Sequence, residues 1–192
     1  MFTRREVLVI RYYITNREHY GNLDDLVYNI RLRLVEGIEM IQLRERDLSA
    51  RELLNLVKQV LALPNPHGTK ILVNDRADVA IAAGAHGVHL RSHAIEPRRT
   101  LSIAPKGFLA GVSCHTPDEV RQAADEGASF AVLAPIFPTP GKGLPIGLAP
   151  LAEAARAVSI PVLALGGINE SRIQSCLDAG AAGIAAISLF QS

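Results

Sequence analysis

The chain has no tryptophan, two cysteines among 192 residues and only 5% aromatic residues. Cys114 and Cys176 lie far apart and form no CxxC pair. That excludes a disulfide scaffold, a cysteine-pair zinc site and a dithiol redox centre. Both are expected as reduced core or near-core thiols of a cytoplasmic protein. Neither sign of charge dominates. The formal net charge of +1 gives no electrostatic footing for nucleic acid or for an acidic membrane surface. No run approaches the roughly 18 apolar residues of a membrane span. The opening MFTRREVLVIRYYIT lacks the apolar h-region and cleavage site of a signal peptide. Low-complexity segments and long linkers are also missing. What is present is a 48% hydrophobic chain, enough for one core, and a single domain spanning residues 1–192 is expected.

The apolar residues fall into a regular alternation. Strands are expected at Val7–Thr15, Met40–Leu43, Lys70–Asn74, Gly87–Leu90, Phe108–Ser113, Phe130–Ala134, Pro161–Leu165 and Gly183–Ile187. Most are short apolar runs without strict alternation, as parallel strands covered by helices should be. Between them lie helical patterns. Leu26, Ile30 and Leu34 recur at helical spacing before Gly37, and Ser49 precedes the amphipathic set Leu53, Leu54, Val57 and Leu61. A helix is expected over Arg76–Ala83, closed by Gly84, and a weak one over Pro97–Leu101. Thr116, Pro117 and Glu119 form a helix N-terminal signature. Further helices are expected at Leu148–Val158 and after Asn169, read as an N-cap. Eight such units point to a (β/α)8 TIM barrel, with a doubly wound open sheet as the alternative. The chain ends just past the eighth strand, so the final helix is expected to be missing or only begun. The exposed side this would leave makes a homodimer a possible state.

In a barrel of this kind chemistry sits at the carboxyl ends of the strands. The second strand runs from apolar residues into Gln42-Leu43-Arg44-Glu45-Arg46-Asp47. Arg44 and Arg46 lie two apart, share a face and can grip a phosphate or pyrophosphate, or else join a salt-bridge network with Glu45, Asp47 or Asp75. Asn74 and Asp75 end the third strand. Asp75 can hold magnesium or pair with an arginine, and either residue could instead cap the next helix. Ser113 and His115 share a face, Cys114 pointing the other way, and His115 is placed for acid–base work or for packing beside the helix. His19, His67 and His86 read as surface or turn residues, and His89 as a structural hydrogen-bonder. Pro135–Gly147 is the longest loop, either a lid whose Lys142 reaches a phosphate or a plain connection. Gly166 and Gly167, completed by Ala186-Ile187-Ser188, offer backbone N–H groups to a phosphate or simply make a tight turn.

Together the stretches QLRER (42–46), LVNDRADVA (72–80), GVHL (87–90), GVSCHT (111–116), PIFPTPGKG (135–143), GGI (166–168) and AAIS (185–188) resemble the thiamine phosphate synthase/TenI superfamily. The synthase joins a pyrimidine methyl diphosphate to a thiazole phosphate and uses magnesium. Its pattern implies substrate binding by Gln42, Arg44, Arg46, Asn74, Ser113, Thr139 and Lys142, phosphate binding by Gly166, Gly167, Ile187 and Ser188, and magnesium at Asp75. The sequence departs from it twice. Arg46 stands in place of lysine, and GVHL is followed by Arg91-Ser92-His93-Ala94 rather than Gly-Gln-x-Asp, so Ala94 takes the place of the second magnesium aspartate. Both departures resemble the TenI-type thiazole tautomerase, which aromatises a carboxythiazole phosphate with no metal and uses the histidine that falls on His115. Tautomerase is therefore the expected activity, with Arg44 and Arg46 orienting the carboxylate and no cofactor required. Thiamine phosphate synthase with magnesium is the alternative, and a non-catalytic thiazole-phosphate-binding regulator a second one. The expected partner in each case is a small phosphorylated thiazole, with no nucleic acid and no membrane.

Overall fold

The structure is a computed structural model that describes residues 9–191. Eight parallel strands close into a barrel in sequence order: β1 (Ile10–Ile14), β2 (Met40–Leu43), β3 (Lys70–Asn74), β4 (Gly87–Leu90), β5 (Leu109–Cys114), β6 (Phe130–Leu133), β7 (Val162–Leu165) and β8 (Gly183–Ala186). Closure is direct, with Ile10 in register with Gly183 and Tyr13 with Ala186. The open-sheet alternative is thereby overturned. Val7 and Leu8, expected in the first strand, lie outside the described residues.

The helices form the outer layer: α1 (Leu23–Val35), α2 (Ala50–Leu61), α3 (Ala77–Ala83), α4 (Pro97–Ile103), α5 (Pro117–Asp125), α6 (Leu148–Ala157) and α7 (Glu170–Asp178). Local chemistry starts and stops them where the sequence indicates. Ser49 and Glu52 form a reciprocal capping box on α2. The Thr116 hydroxyl accepts from the Glu119 N–H at 3.1 Å at the head of α5. Gly84 closes α3 in the left-handed region at φ 76°. Asn169 stands at the N-cap of α7 as expected, but without the side-chain bond. Its side chain caps nothing on α7 and instead accepts from the Ser171 hydroxyl at 2.9 Å.

After β8 the described residues contain only one 3₁₀ turn, Ser188–Phe190. It lies over the start of the chain's own barrel wall. Phe190 is buried with its ring 5.6 Å from that of Tyr13, and Asn29 of α1 donates to the Phe190 carbonyl at 3.2 Å.

Strand alternation divides the core in two. Tyr13, Ile41, Val73, Val88 and Ile184 face outward to the helices, while Tyr12, Ile14, Met40, Leu72, Phe130, Val132, Leu163 and Ala185 fill the barrel interior. Phe130 spans the interior because Gly111 opposite carries no side chain: a Cβ there would lie 2.3 Å from the Phe130 ring. Above this plug the inward positions turn polar, with Gln42, Asn74, His89 and Ser113 following one another around strands β2 to β5. Both cysteines are buried and free, and burial and the charge of Glu119 push the Cys114 thiol up to about 12.

Candidate active site

A cavity of about 190 Å³ opens at the carboxyl ends of the strands. It gathers Gln42, Arg44, Arg46, Asn74, Ser113, His115, Thr139, Lys142, Gly166 and Ile187, ten of the residues singled out in the sequence. Gly167 and Ser188 adjoin it without lining it. Asp75 lines a neighbouring cavity, which shares Arg46, Asn74 and Arg91 with the first.

The cationic side comes from the β2 end. The Arg44 N–H donates to the Thr15 hydroxyl at 3.0 Å, but the Arg44 and Arg46 guanidiniums make no hydrogen bond or salt bridge with any described residue, contrary to the salt-bridge-network alternative. The acids that could have neutralised them are engaged elsewhere. Glu45 is buried and accepts from the Thr15 hydroxyl and, at 3.0 Å, from the Arg17 N–H. Asp47 pairs with Arg17, and Asp75 with Arg91. Burial and the facing Arg46 charge lower the Arg44 pKa from the usual guanidinium value, but an arginine stays charged. Two guanidiniums without a salt bridge in one cavity make an anion site.

Next to them, Gln42 donates to the Asn74 side-chain oxygen at 2.8 Å. Gln42 is 1% exposed, and its own Oε1 has no partner. A buried unsatisfied carbonyl oxygen costs about 1–3 kcal/mol. A ligand presenting an N–H or O–H would remove that cost.

On the β4–β5 side a chain of polar groups crosses the barrel. The Tyr12 hydroxyl lies 3.1 Å from His89 Nδ1, and His89 Nε2 lies 2.9 Å from Ser113 Oγ. His89 is buried, and burial followed by the Arg44 charge pushes its pKa down to about 3, so the ring is neutral. Tyr12 is fully buried and its hydroxyl stays protonated, since burial raises its pKa well above 10. Its proton has one acceptor, His89 Nδ1. The other nitrogen then carries the ring hydrogen and donates to Ser113 Oγ, which leaves the serine hydroxyl as a donor toward the cavity. The sequence reading treated His89 as a structural hydrogen-bonder, but it also lines the cavity.

His115 is exposed and held twice. Its ring Nδ1 donates to the Ala134 carbonyl at 2.9 Å, and its backbone N–H donates to the Glu119 carboxylate at 2.9 Å. Glu119 thus reaches back to His115 rather than to Thr116. With Nδ1–H committed, Nε2 is the free lone pair. His86, read as a surface or turn residue, lies in the turn before β4, half-buried, and accepts from the Ile71 N–H at 3.0 Å.

The loop after β6 closes the opposite side. Phe137 N–H donates to the Gly166 carbonyl at 3.0 Å, and Gly147 N–H to the Ile136 carbonyl at 3.1 Å, so the loop is pinned at both ends. A Cβ on Gly166 would meet Pro135 at 2.8 Å, and one on Gly167 the Pro138 carbonyl at 2.6 Å. Both glycines also have positive φ. The pair is thus required by a tight turn and by the close loop, while Gly166 still borders the cavity that Lys142 overhangs. The helix cap that Asn74 or Asp75 could have made is absent: Arg76 occupies the N-cap of α3, and its side chain makes no capping bond.

Arg91 is the residue that sequence reasoning missed. It follows β4, and its guanidinium Nε is salt-bridged to Asp75. Its position directly after GVHL, where the family's pattern has glycine, was the available signal.

The sequence profile described as thiamine monophosphate synthase matches residues 11–190. The chain is 42% identical over 180 residues to a putative thiamine-phosphate synthase of Geobacter sulfurreducens, covering 92% of this chain and 84% of that one. It is 41% identical to putative thiamine-phosphate synthase 2 of Aquifex aeolicus, over 93% and 96% of the two chains. Among solved structures it resembles the thiamine phosphate pyrophosphorylase from Pyrococcus furiosus, with a TM-score of 0.84, 32% identity, and 96% and 88% of the two chains covered. The barrel, its cationic cavity and these likenesses agree, and the chain belongs to the thiamine monophosphate synthase (TMP-TENI) family.

Proposed function

We propose that this thiamine-biosynthetic barrel is a thiazole tautomerase, which aromatises a carboxythiazole phosphate by proton transfer. The observation that carries the reading is His115, with Nδ1–H fixed on the Ala134 carbonyl and Nε2 left as a base at the cavity. Nε2 takes the proton from the ring carbon, the electron pair shifts through the ring to the exocyclic carbon, and the same nitrogen returns the proton there. Atoms and electrons balance without an oxidant. The phosphate lies against Gly166, Gly167 and Ser188 with Lys142 over it, and Arg44 and Arg46 orient the carboxylate. Gln42, Asn74, Ser113, Thr139 and Ile187 complete the substrate contacts.

Thiamine phosphate synthases use magnesium, and the residues here do not fit such a site. Asp75 is tied to Arg91, Ala94 offers no ligand, and no group of three or more His, Cys, Asp or Glu among the described residues could hold an ion. Magnesium needs an oxygen shell, to which a lone salt-bridged carboxylate contributes little. The tautomerase needs no metal.

Thiamine phosphate synthase is the second reading. The names of the relatives favour it, and so does the unpartnered Gln42 Oε1, which suits a ligand amino group. Two assays on one preparation separate the readings. The tautomerase reading expects aromatisation of the carboxythiazole phosphate tautomer in EDTA, and folded protein that fails to do so refutes it. The synthase reading expects magnesium-dependent pyrophosphate release from the pyrimidine diphosphate plus thiazole phosphate.

A further inference from the structure

We propose that Arg91 is this barrel's built-in replacement for a divalent cation, gripping a second substrate oxyanion with Arg46 at the β2–β4 ends without metal. The inference rests on the family membership and not on which reaction the chain performs.

Arg46, Asn74 and Arg91 line both the main cavity and the neighbouring cavity of about 360 Å³, so they form the ridge between the two. The second cavity holds three guanidiniums, Arg46, Arg76 and Arg91, against two carboxylates, Glu45 and Asp75. Both carboxylates already have partners. Glu45 is held by Thr15 and the Arg17 N–H, and Asp75 by Arg91. Arg76 is engaged by Asp78 through two bonds of 2.9 and 2.6 Å. Arg46 has no partner, and Arg91 spends only its Nε on Asp75. The two terminal nitrogens of Arg91 stay available as a fork for an oxyanion.

The backbone supports the same arrangement. Among the described residues Asp75 is one of two non-glycine residues with positive φ, at 63°, an uncommon conformation that aspartate tolerates better than most. Its N–H donates to the His89 carbonyl at 2.9 Å, and the Arg91 N–H donates to its Oδ1 at 3.4 Å. The turn therefore places the carboxylate beside the β4 exit, where it pairs with the Arg91 guanidinium. Ala94 lines neither cavity, so the loop after β4 contributes its cation through residue 91 alone.

The test is calorimetric titration of inorganic pyrophosphate into the full chain, in magnesium and in EDTA. The two dissociation constants should agree within about threefold, and Arg91→Ala should weaken binding about tenfold or more in EDTA, the usual loss for one charge-assisted contact. Arg91 is exposed, so this variant leaves the core untouched. Asp75→Asn is the second variant: asparagine also tolerates positive φ, and removing the negative charge should leave affinity unchanged or improve it. A metal-binding Asp75 predicts the reverse. Binding that falls about tenfold on adding EDTA, that is unchanged in Arg91→Ala, or that is lost in Asp75→Asn overturns the proposal. None of these readouts involves turnover, so a failed tautomerase assay leaves them intact.

Discussion

Acidification should weaken the fold through His89 by an amount that its surroundings set. The ring is 3% exposed, and its pKa is pushed down to about 3, first by burial and then by the charge of Arg44. In the unfolded chain a histidine titrates near 6.5. Below that pH the unfolded state binds a proton that the native ring refuses. The contribution is therefore nil above about pH 6.5 and increasingly destabilising as pH falls toward 3. At pH 5 the gap from the unfolded value is about 1.5 units, and at about 1.4 kcal/mol per unit the fold loses about 2 kcal/mol relative to pH 8. That is a large share of the roughly 5–15 kcal/mol that holds a domain together. His89→Gln removes the titration. The variant will be less stable at every pH, but the quantity read is the change between pH 8 and pH 5. Glu39, Asp78 and His86 also have shifted pKa values, and they occur in both proteins and cancel. Urea unfolding at the two pH values should show the wild type losing about 2 kcal/mol more than the variant, with equal m-values. Equal losses in the two proteins would refute the buried neutral ring and the hydrogen-bond chain built on it.

His115→Ala should slow aromatisation by roughly 10²-fold or more with an unchanged far-UV spectrum, and an unchanged rate would remove His115 from the mechanism. Tyr12→Phe should cost about 1–2 kcal/mol and release His89 from a single tautomer. Ring ¹⁵N shifts report this directly, and a His89 still held in the Nε2–H form would show that Tyr12 does not set it. Gly111→Ala would place a methyl 2.3 Å from the Phe130 ring, and displacing that ring should cost about 1–3 kcal/mol, read as a lower Tm. An unshifted Tm would mean that the interior repacks freely around Phe130.

The barrel was legible because its determinants are local. Gly84, Ser49 and Thr116 fix helix ends through their own backbone and nearest neighbours, and short apolar runs between them leave few folds other than eight parallel strands. The strand-end residues were legible for the same reason, since a period of two assigns Gln42, Asn74 and Ser113 to the interior once the strands are placed. What could not be read depends on contacts between distant segments. Asn169 looks like an N-cap from its neighbours, yet its oxygen serves Ser171. Arg44 and Arg46 lie among acids in the sequence, yet Thr15 and Arg17 from the β1 exit claim Glu45 and Asp47 first. His89 forms a relay with Tyr12 only because strands 77 residues apart in sequence face each other across the barrel.

The decision between two reactions on one scaffold then falls to charge balance at the β3–β4 exits. Displacing pyrophosphate builds negative charge on a leaving group, and a divalent ion stabilises that charge by several kcal/mol. Moving a proton between two carbons of a bound heterocycle builds no such charge. It asks only for a fixed anion grip and a base. With Asp75 turned to Arg91 and the Arg46 guanidinium unpaired, the exits present monovalent cations and, among the described residues, no cluster that would hold a metal. This arrangement suits a substrate whose anionic groups are handles rather than departing fragments. The same reasoning directs attention to Arg91, outside the motifs that name the family, because it occupies the Asp75 carboxylate.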